Sequence, residues 1–425
     1  MTTVSTYAGT SAISRKHAWA LTIVATLTMA VSYIDRQALA ALAPTVTKAF
    51  DISETQYGFL MSAFSMAYLV GAPIAGALVD RVGARRGLLG AVLVWSFVAA
   101  LHALVPGFGA LFFLRIALGL AEAPSFPGAA QTIQRALSPA ERSRGFGVLF
   151  TGSSIGAMVA PQLATFLEKN WGFRVAFLGT AAAGLIWIPF WIAVAWKNPA
   201  RALLDAPPDQ DKPKPSAIRI ALHPAVLRGA LAVIAVAPAL GFVLNWGSKF
   251  LVSAHHLAQK DVGPFLALPP LLFDAGSVLF GHFASVRKRT RKDGAPDRPL
   301  FALAAILTLV LTAAPFGRTP WESMIFAGIG MAGGGGMFAL ITADYLARVH
   351  PSAISAASGM GAAAQSMSYI VFAPLLGKLI DATGGYTIPF VTLGLWLIPG
   401  CLGWLLWKPP PPHHEESDKP ASSTA

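Results

Sequence analysis

Residues 160–177 read APQLATFLEKNWGFRVAF, and residues 373–390 read APLLGKLIDATGGYTIPF. Aligned without a gap, both give Ala-Pro-x-Leu, an acidic residue eight places after the alanine, and then Gly-aromatic-x-x-x-Phe. The two copies lie half a chain length apart, and each runs out of one long apolar stretch into the next. A match at half-length, in the same place of the apolar pattern, predicts a duplicated architecture of two parallel repeats.

The rest of the chain states the medium in which those repeats fold. Of 425 residues, 55% are hydrophobic and only 12% charged, with a mean hydropathy of +0.58. A soluble chain carries about 25% charged residues. The expectation is an all-α membrane protein. Its length suits twelve transmembrane helices of about 20 residues each, arranged as two pseudo-symmetric six-helix halves. Apolar runs place the spans near 17–43, 57–79, 86–105, 109–134, 145–167, 173–196, 225–253, 262–284, 299–315, 321–346, 354–380 and 387–407. The domain expectation follows: a cytoplasmic segment 1–16, an N-terminal half 17–197, a Pro- and charge-rich cytoplasmic linker 198–224, a C-terminal half 225–408, and a disordered cytoplasmic tail 409–425. Parallel repeats of this kind are a known transporter plan, with substrate bound between the halves near the bilayer midplane.

A net charge of +12 invites a nucleic-acid reading, which the distribution of the charge excludes. Basic residues gather in alternate loops: Arg15 and Lys16; Arg81, Arg85 and Arg86; Arg135, Arg142 and Arg144; the stretch 197–228; and RKRTRK at 287–292. The intervening loops hold little beyond Lys48, Lys169, Arg174, Lys260 and Arg318. That alternation is the positive-inside pattern of a multi-pass protein of the inner (plasma) membrane, with both termini cytoplasmic. The first 16 residues show no cleavage site for a removable signal peptide. One cysteine, Cys401, precludes an intramolecular disulfide.

Within the apolar runs few ionisable residues remain. Asp35 and Arg36 fall in span 1, Arg115 and Glu122 in span 4, Lys249 in span 7 and Asp274 in span 8, with Asp344 nearer a helix end. Each charge at bilayer depth costs several kcal/mol, about 2.5–3.5 on insertion scales, and faces a protein interior or a wet cavity. Arg115 and Glu122, seven apart, share a helix face about 10 Å apart along the axis. Pro124 and Pro127 loosen the helix just beyond them. Arginine is a permanent cation with bidentate donors, whereas burial and nearby charge let a carboxylate load and release a proton. One reading has Arg36, Arg115 and Lys249 holding an anion while Asp35 and Glu122 carry protons. The other has all five locking helices together as salt bridges.

The motifs point to a family. GALVDRVGARR at 76–86 resembles the signature that the major facilitator superfamily carries between spans 2 and 3. By that resemblance Asp80, Arg81, Gly83, Arg85 and Arg86 serve a cytoplasmic gate and its turn. Within the superfamily, YIDRQALAALAP, GLAEAPSFPGAA and ERSRGFGVLFTGSSIGAMVAP are similar to motifs of spans 1, 4 and 5 in the anion:cation symporter family. WGSKFL at 246–251 and FDAGSVLFGHFASVRKR at 273–289 resemble its bacterial hexuronate branch. The resemblance implies that Arg36 binds the substrate carboxylate with Tyr33 and Tyr68 beside it, and that Lys249 meets a second polar part of the ligand. It also implies that Asp35 and Glu122 are the protonation sites, with Arg115 coupled to Glu122. Ser153 and Ser154, with Thr151, are candidate hydroxyls from span 5, and packing is their equal alternative. Asn245 and Gln365 are the polar candidates of the second half. Departures are Ala362, where many members carry asparagine, and Phe338 in place of a span-10 tryptophan; both suit a less hydroxylated anion.

The expected function is proton-coupled symport, by alternating access, of a small organic anion, a hexuronate or related sugar acid first. The alternatives are a carrier or facilitator of a smaller monocarboxylate and, from another class, a membrane anion receptor. The receptor reading lacks a cytoplasmic output domain. No nucleophile elbow, metal-ligand cluster or phosphate loop supports an enzyme, a metal or a cofactor. His102, His282 and the pair His255-His256 read as lone polar residues. The expected partners are the anion, protons and the lipid bilayer, with no nucleic acid, and the expected state is a monomer.

Overall fold

The computed structural model describes residues 13–205, 217–290, 297–350 and 353–411. Most of the N-terminal segment, the middle of the linker and nearly all of the tail expected above lie outside the described residues. All regular structure among the described residues is helical.

Among the described residues twelve helices are long and apolar enough to cross a bilayer: Arg15–Ala41, Glu54–Val82, Ala84–Leu104, Phe108–Ala136, Arg144–Trp171, Phe173–Ala195, Pro224–His255, Gly263–Arg287, Arg298–Phe316, Pro320–Leu346, Ala356–Thr383 and Thr387–Leu406. They are spans 1–12 below. Large apolar side chains remain exposed along them, among them Ile74 and Phe97 at 66% and Phe113 at 71%. In a bilayer these are the lipid-facing surface, because lipid tails replace the protein core as their apolar surroundings. The ends of spans 2 and 3 around Gly83 and of spans 4 and 5 around Ser138 share a side with Arg15, here termed the basic side.

Span 4 is not one helix. It runs as Phe108–Glu122 and resumes as Ser125–Ala136. Pro124 supplies no N–H, and Pro127 removes another donor one turn later, so the backbone ladder lapses where the two prolines predict. Glu122 is the last residue of the first segment.

The chain folds as two compact units. One comprises residues 1–39 and 67–210, and the other comprises residues 40–66 and 211–425. The division does not follow the midpoint of the chain, because the far ends of spans 1 and 2 pack with the second half.

In the first unit, span 1 lies against span 5 through Gly152 and Gly156, a Gly-x-x-x-Gly pair. A Cβ on Gly152 would stand 2.5 Å from the Thr26 carbonyl oxygen, and one on Gly156 2.3 Å from that of Ala30 and 2.7 Å from the Tyr33 Cβ. Two backbones meet this closely only where side chains are absent. Trp187 and Trp191 stack at 5.3 Å, and their indole nitrogens donate to the carbonyls of Val24 at 2.8 Å and Arg85 at 3.0 Å. Span 6 is thereby tied to spans 1 and 3 by paired polar atoms.

Candidate functional site

On an α-helix, neighbouring residues point about 100° apart. Asp35 and Arg36 therefore enter two different surroundings. Arg36 shares its face with Ser32 and Tyr33, four and three positions earlier. Its guanidinium lies over the Tyr33 ring at 4.6 Å and the Tyr68 ring at 5.0 Å, and donates from one terminal nitrogen to Glu122 Oε2 at 3.2 Å. Ser32 Oγ donates to the same oxygen at 2.7 Å. The Arg36 side chain is 20% exposed, and that of Glu122 is fully buried. Among the described residues, Glu122 Oε1 has no hydrogen-bond partner. The cation is thus the reachable member of the pair, and the carboxylate is its buried counter-charge.

Asp35 points instead into a narrow crevice that it lines with His102, Arg115, Leu118, Phe177 and Thr180. It is 4% exposed, and among the described residues neither of its oxygens has a hydrogen-bond partner. Spans 1, 3, 4 and 6 thus surround one carboxylate with Arg115, itself 2% exposed. The first unit therefore gathers the candidates of spans 1, 2 and 4 into two adjoining sets: Arg36 with Tyr33, Tyr68 and Glu122, and Asp35 with Arg115.

At the basic side of this unit, Arg85 donates through Nε to both carboxylate oxygens of Asp205 at 3.1 Å, and through a terminal nitrogen to one of them. Its guanidinium also covers the Trp196 ring at 4.4 Å. Gly83 has φ +83°, and a Cβ there would stand 2.8 Å from the Leu204 carbonyl oxygen. A glycine is required both by the left-handed backbone and by the approach of the short helix Asn198–Leu204. Asp80 accepts from Gln131 Nε2 at 2.7 Å. Outside the spans, Glu141 accepts from Arg15 Nε at 2.7 Å and from Trp19 Nε1 at 3.2 Å, which holds its carboxyl below the usual range.

The second unit holds Lys249, which it pairs with a carboxylate. Lys249 Nζ pairs with Glu54 Oε1 at 2.8 Å and donates to Thr47 Oγ1 at 2.9 Å. Glu54 also accepts from Trp246 Nε1 at 3.0 Å and Tyr386 hydroxyl at 3.4 Å. Beside it, Asp381 accepts from the backbone N–H groups of Glu54 at 3.0 Å and Thr55 at 2.8 Å. Span 2 therefore begins under a carboxylate supplied by span 11, where the unpaired N–H groups of a helix start favour negative charge. Lys249, Glu54, Asp381 and Tyr386 line an open pit of about 410 Å³. Gln365 Nε2 donates to the Tyr369 hydroxyl at 2.9 Å, and the Asn245 carbonyl accepts from Tyr57 at 2.8 Å. Ser153 donates to the Phe150 carbonyl of its own helix at 2.8 Å.

Sequence reasoning did not single out Ser32, Glu54, Asp205 or Asp381 as functional. Asp381 carried a signal, since it is the acidic residue of the half-length repeat. The others are ordinary polar residues whose importance lies in a distant partner.

The Major Facilitator Superfamily profile matches residues 25–293. The chain belongs to that superfamily. It is accordingly a multi-pass membrane transporter and not an enzyme. The superfamily member is 26% identical over 404 residues to a hexuronate transporter of Escherichia coli (strain K12), covering 90% of this chain and 92% of the relative. It is 29% identical over 279 residues to a galacturonate transporter of Dickeya chrysanthemi, covering 62% and 80%. Among solved structures, a bacterial homologue of the human lysosomal transporter Spinster superposes with a TM-score of 0.78 at 16% identity, covering 94% of this chain and all of the other. That likeness establishes the superfamily fold.

Proposed function

We propose that the chain is a proton-coupled symporter that imports a sugar acid, a hexuronate first, across the inner membrane, with its basic side and both termini in the cytoplasm. The observation that carries the reading is Arg36: a reachable guanidinium, held between two tyrosine rings, whose ionic partner Glu122 is wholly buried. Its planar fork suits a carboxylate, and the tyrosines offer hydroxyls and ring faces to a sugar. The relatives named as hexuronate and galacturonate transporters favour that class of anion.

Coupling follows from competition. An arriving substrate carboxylate draws Arg36 from Glu122. A carboxylate left in the interior without its cation is costly, so Glu122 takes up a proton. Asp35, buried without hydrogen-bond partners among the described residues, is the second group whose charge the interior opposes. Protonation of both removes the two buried negative charges from the loaded carrier, leaving Arg36 neutralised by the substrate and one positive charge on Arg115. The ligand biases that change only through its different affinity for the two states.

The test is labelled D-glucuronate uptake into proteoliposomes with and without an inward proton gradient, for wild type and Asp35→Asn. Gradient-driven accumulation in wild type that Asp35→Asn abolishes while exchange persists supports symport. Uptake that only equilibrates glucuronate, with or without the gradient, assigns a facilitator instead. Folded protein that takes up acetate or lactate but no glucuronate assigns the smaller monocarboxylate that Ala362 and Phe338 favour.

A further inference from the structure

We propose that His102 is the residue that delivers protons to Asp35. The inference rests on the proton-coupled reading above and adds to it the route by which the proton arrives.

His102 closes span 3 on the side away from the basic loops, in the single 3₁₀ turn His102–Leu104. It is 2% exposed. Its Nδ1 lies 3.0 Å from the Val98 carbonyl, a contact made only by an N–H, so in the neutral ring Nε2 carries the lone pair. Among the described residues that nitrogen, also buried, has no hydrogen-bond partner. It belongs to the crevice that Asp35 lines, and Asp35 has no hydrogen-bond partner there either. A proton acceptor and a carboxylate therefore share one narrow, water-poor space.

Depth gives the order. His102 is two residues from the end of span 3 at Leu104, and Asp35 is six residues from the end of span 1 at Ala41, on the same side. At 1.5 Å per residue these are about 3 Å and about 9 Å below the helix ends. The histidine is the shallower group, on the side from which an importer receives its protons. Its surroundings are fixed. Arg174, from the start of span 6, donates to the carbonyls of Ala103 at 2.6 Å and Val105 at 3.4 Å, which pins the turn. The Phe177 ring lies 5.6 Å from the imidazole.

The charged groups packed around His102 are Asp35 from span 1, Arg115 from span 4 and Arg174 from span 6. They give the transfer a direction. Nε2 takes a proton from water at the span end, and the ring becomes an imidazolium with both nitrogens protonated. That ring shares the crevice with the cation of Arg115 and the carboxylate of Asp35. The proton passes from Nε2 to an Asp35 oxygen when the two side chains, which share the crevice without a hydrogen bond in this arrangement, turn into contact. The ring returns to its neutral form and Asp35 becomes a neutral acid. Each delivery leaves the crevice with one positive charge more than before, and Nε2 free to accept again.

The experiment uses full-length protein in proteoliposomes and compares two readouts. D-glucuronate counterflow needs no net proton movement, whereas accumulation driven by an inward pH gradient does. His102→Asn keeps a side-chain N–H for the Val98 carbonyl but cannot carry a proton. The expected result is counterflow within about twofold of wild type and gradient-driven accumulation reduced at least about tenfold, the lower range of what a positioned acid–base group contributes. His102→Ala with added imidazole is the second variant, and dose-dependent recovery of accumulation without change in counterflow is expected. Wild-type accumulation in both variants, without imidazole, overturns the proposal. So does equal loss of counterflow and accumulation in both with no imidazole rescue, which marks His102 as a packing residue. If wild type itself shows no gradient dependence, the symport reading fails first and this one with it, a result visible before any variant is compared.

Discussion

Arg36 illustrates how much one side chain depends on chemistry that charge alone does not supply. Its guanidinium is flanked by two tyrosine rings and reaches Glu122 with one nitrogen. Lysine at this position would keep the charge and lose both the planar stacking and the fork that grips a carboxylate. We expect Arg36→Lys to weaken D-glucuronate binding about 10- to 100-fold, the equivalent of one charge-assisted hydrogen bond at about 1.5–3 kcal/mol. Uptake kinetics would register it chiefly as a raised KM, and an unchanged KM would remove Arg36 from the binding site. The residues of this cluster were legible because ionisable groups are few in apolar spans. Their pairing was not. Arg36 takes Glu122 from 86 positions away, while Arg115, seven positions from Glu122, also lines the Asp35 crevice. Nothing in local spacing distinguishes those outcomes.

At the scale of helices, the site is held by backbone contact as much as by charge. Span 5 approaches span 1 at Gly156 so closely that an added Cβ would strike both the Ala30 carbonyl and the Tyr33 side chain. Gly156→Val should therefore push span 1 away and disturb the tyrosine that stacks on Arg36. The expected cost is about 1–3 kcal/mol of overpacking, seen as a lowered Tm of the purified protein together with reduced glucuronate uptake. Gly156→Ala should fall between the two, and a valine variant of wild-type Tm and uptake would show that the close approach is not needed. The twelve spans were readable because a bilayer forces about 20 consecutive apolar residues on each of them. The break in span 4 was readable from Pro124 and Pro127. The seating of the helix Asn198–Leu204 was not, since Arg85 finds Asp205 across 120 positions and the segment has the composition of a linker.

For the molecule as a whole, the alternation of basic loops predicts orientation. Cys401 is 7% exposed and is the sole cysteine, so Cys401→Ala supplies a background for single new thiols. A cysteine at Gly107 should react with a membrane-impermeant maleimide in intact cells, and one at Asn198 only after the membrane is opened. The reverse pattern would place the basic side outside. The duplicated plan was also visible from sequence, in the repeat that contains Asp381. What that aspartate does was not, because its partners at Glu54 and Thr55 lie 327 and 326 positions away and are mostly backbone N–H groups, joined by the Thr55 hydroxyl.

Residues 40–66 belong with the second unit although the chain synthesises them within the first quarter of its length. The end of span 1 and the start of span 2 therefore complete their packing only once spans 7 and 11 have been made. Biogenesis is thus not the sum of two independent foldings.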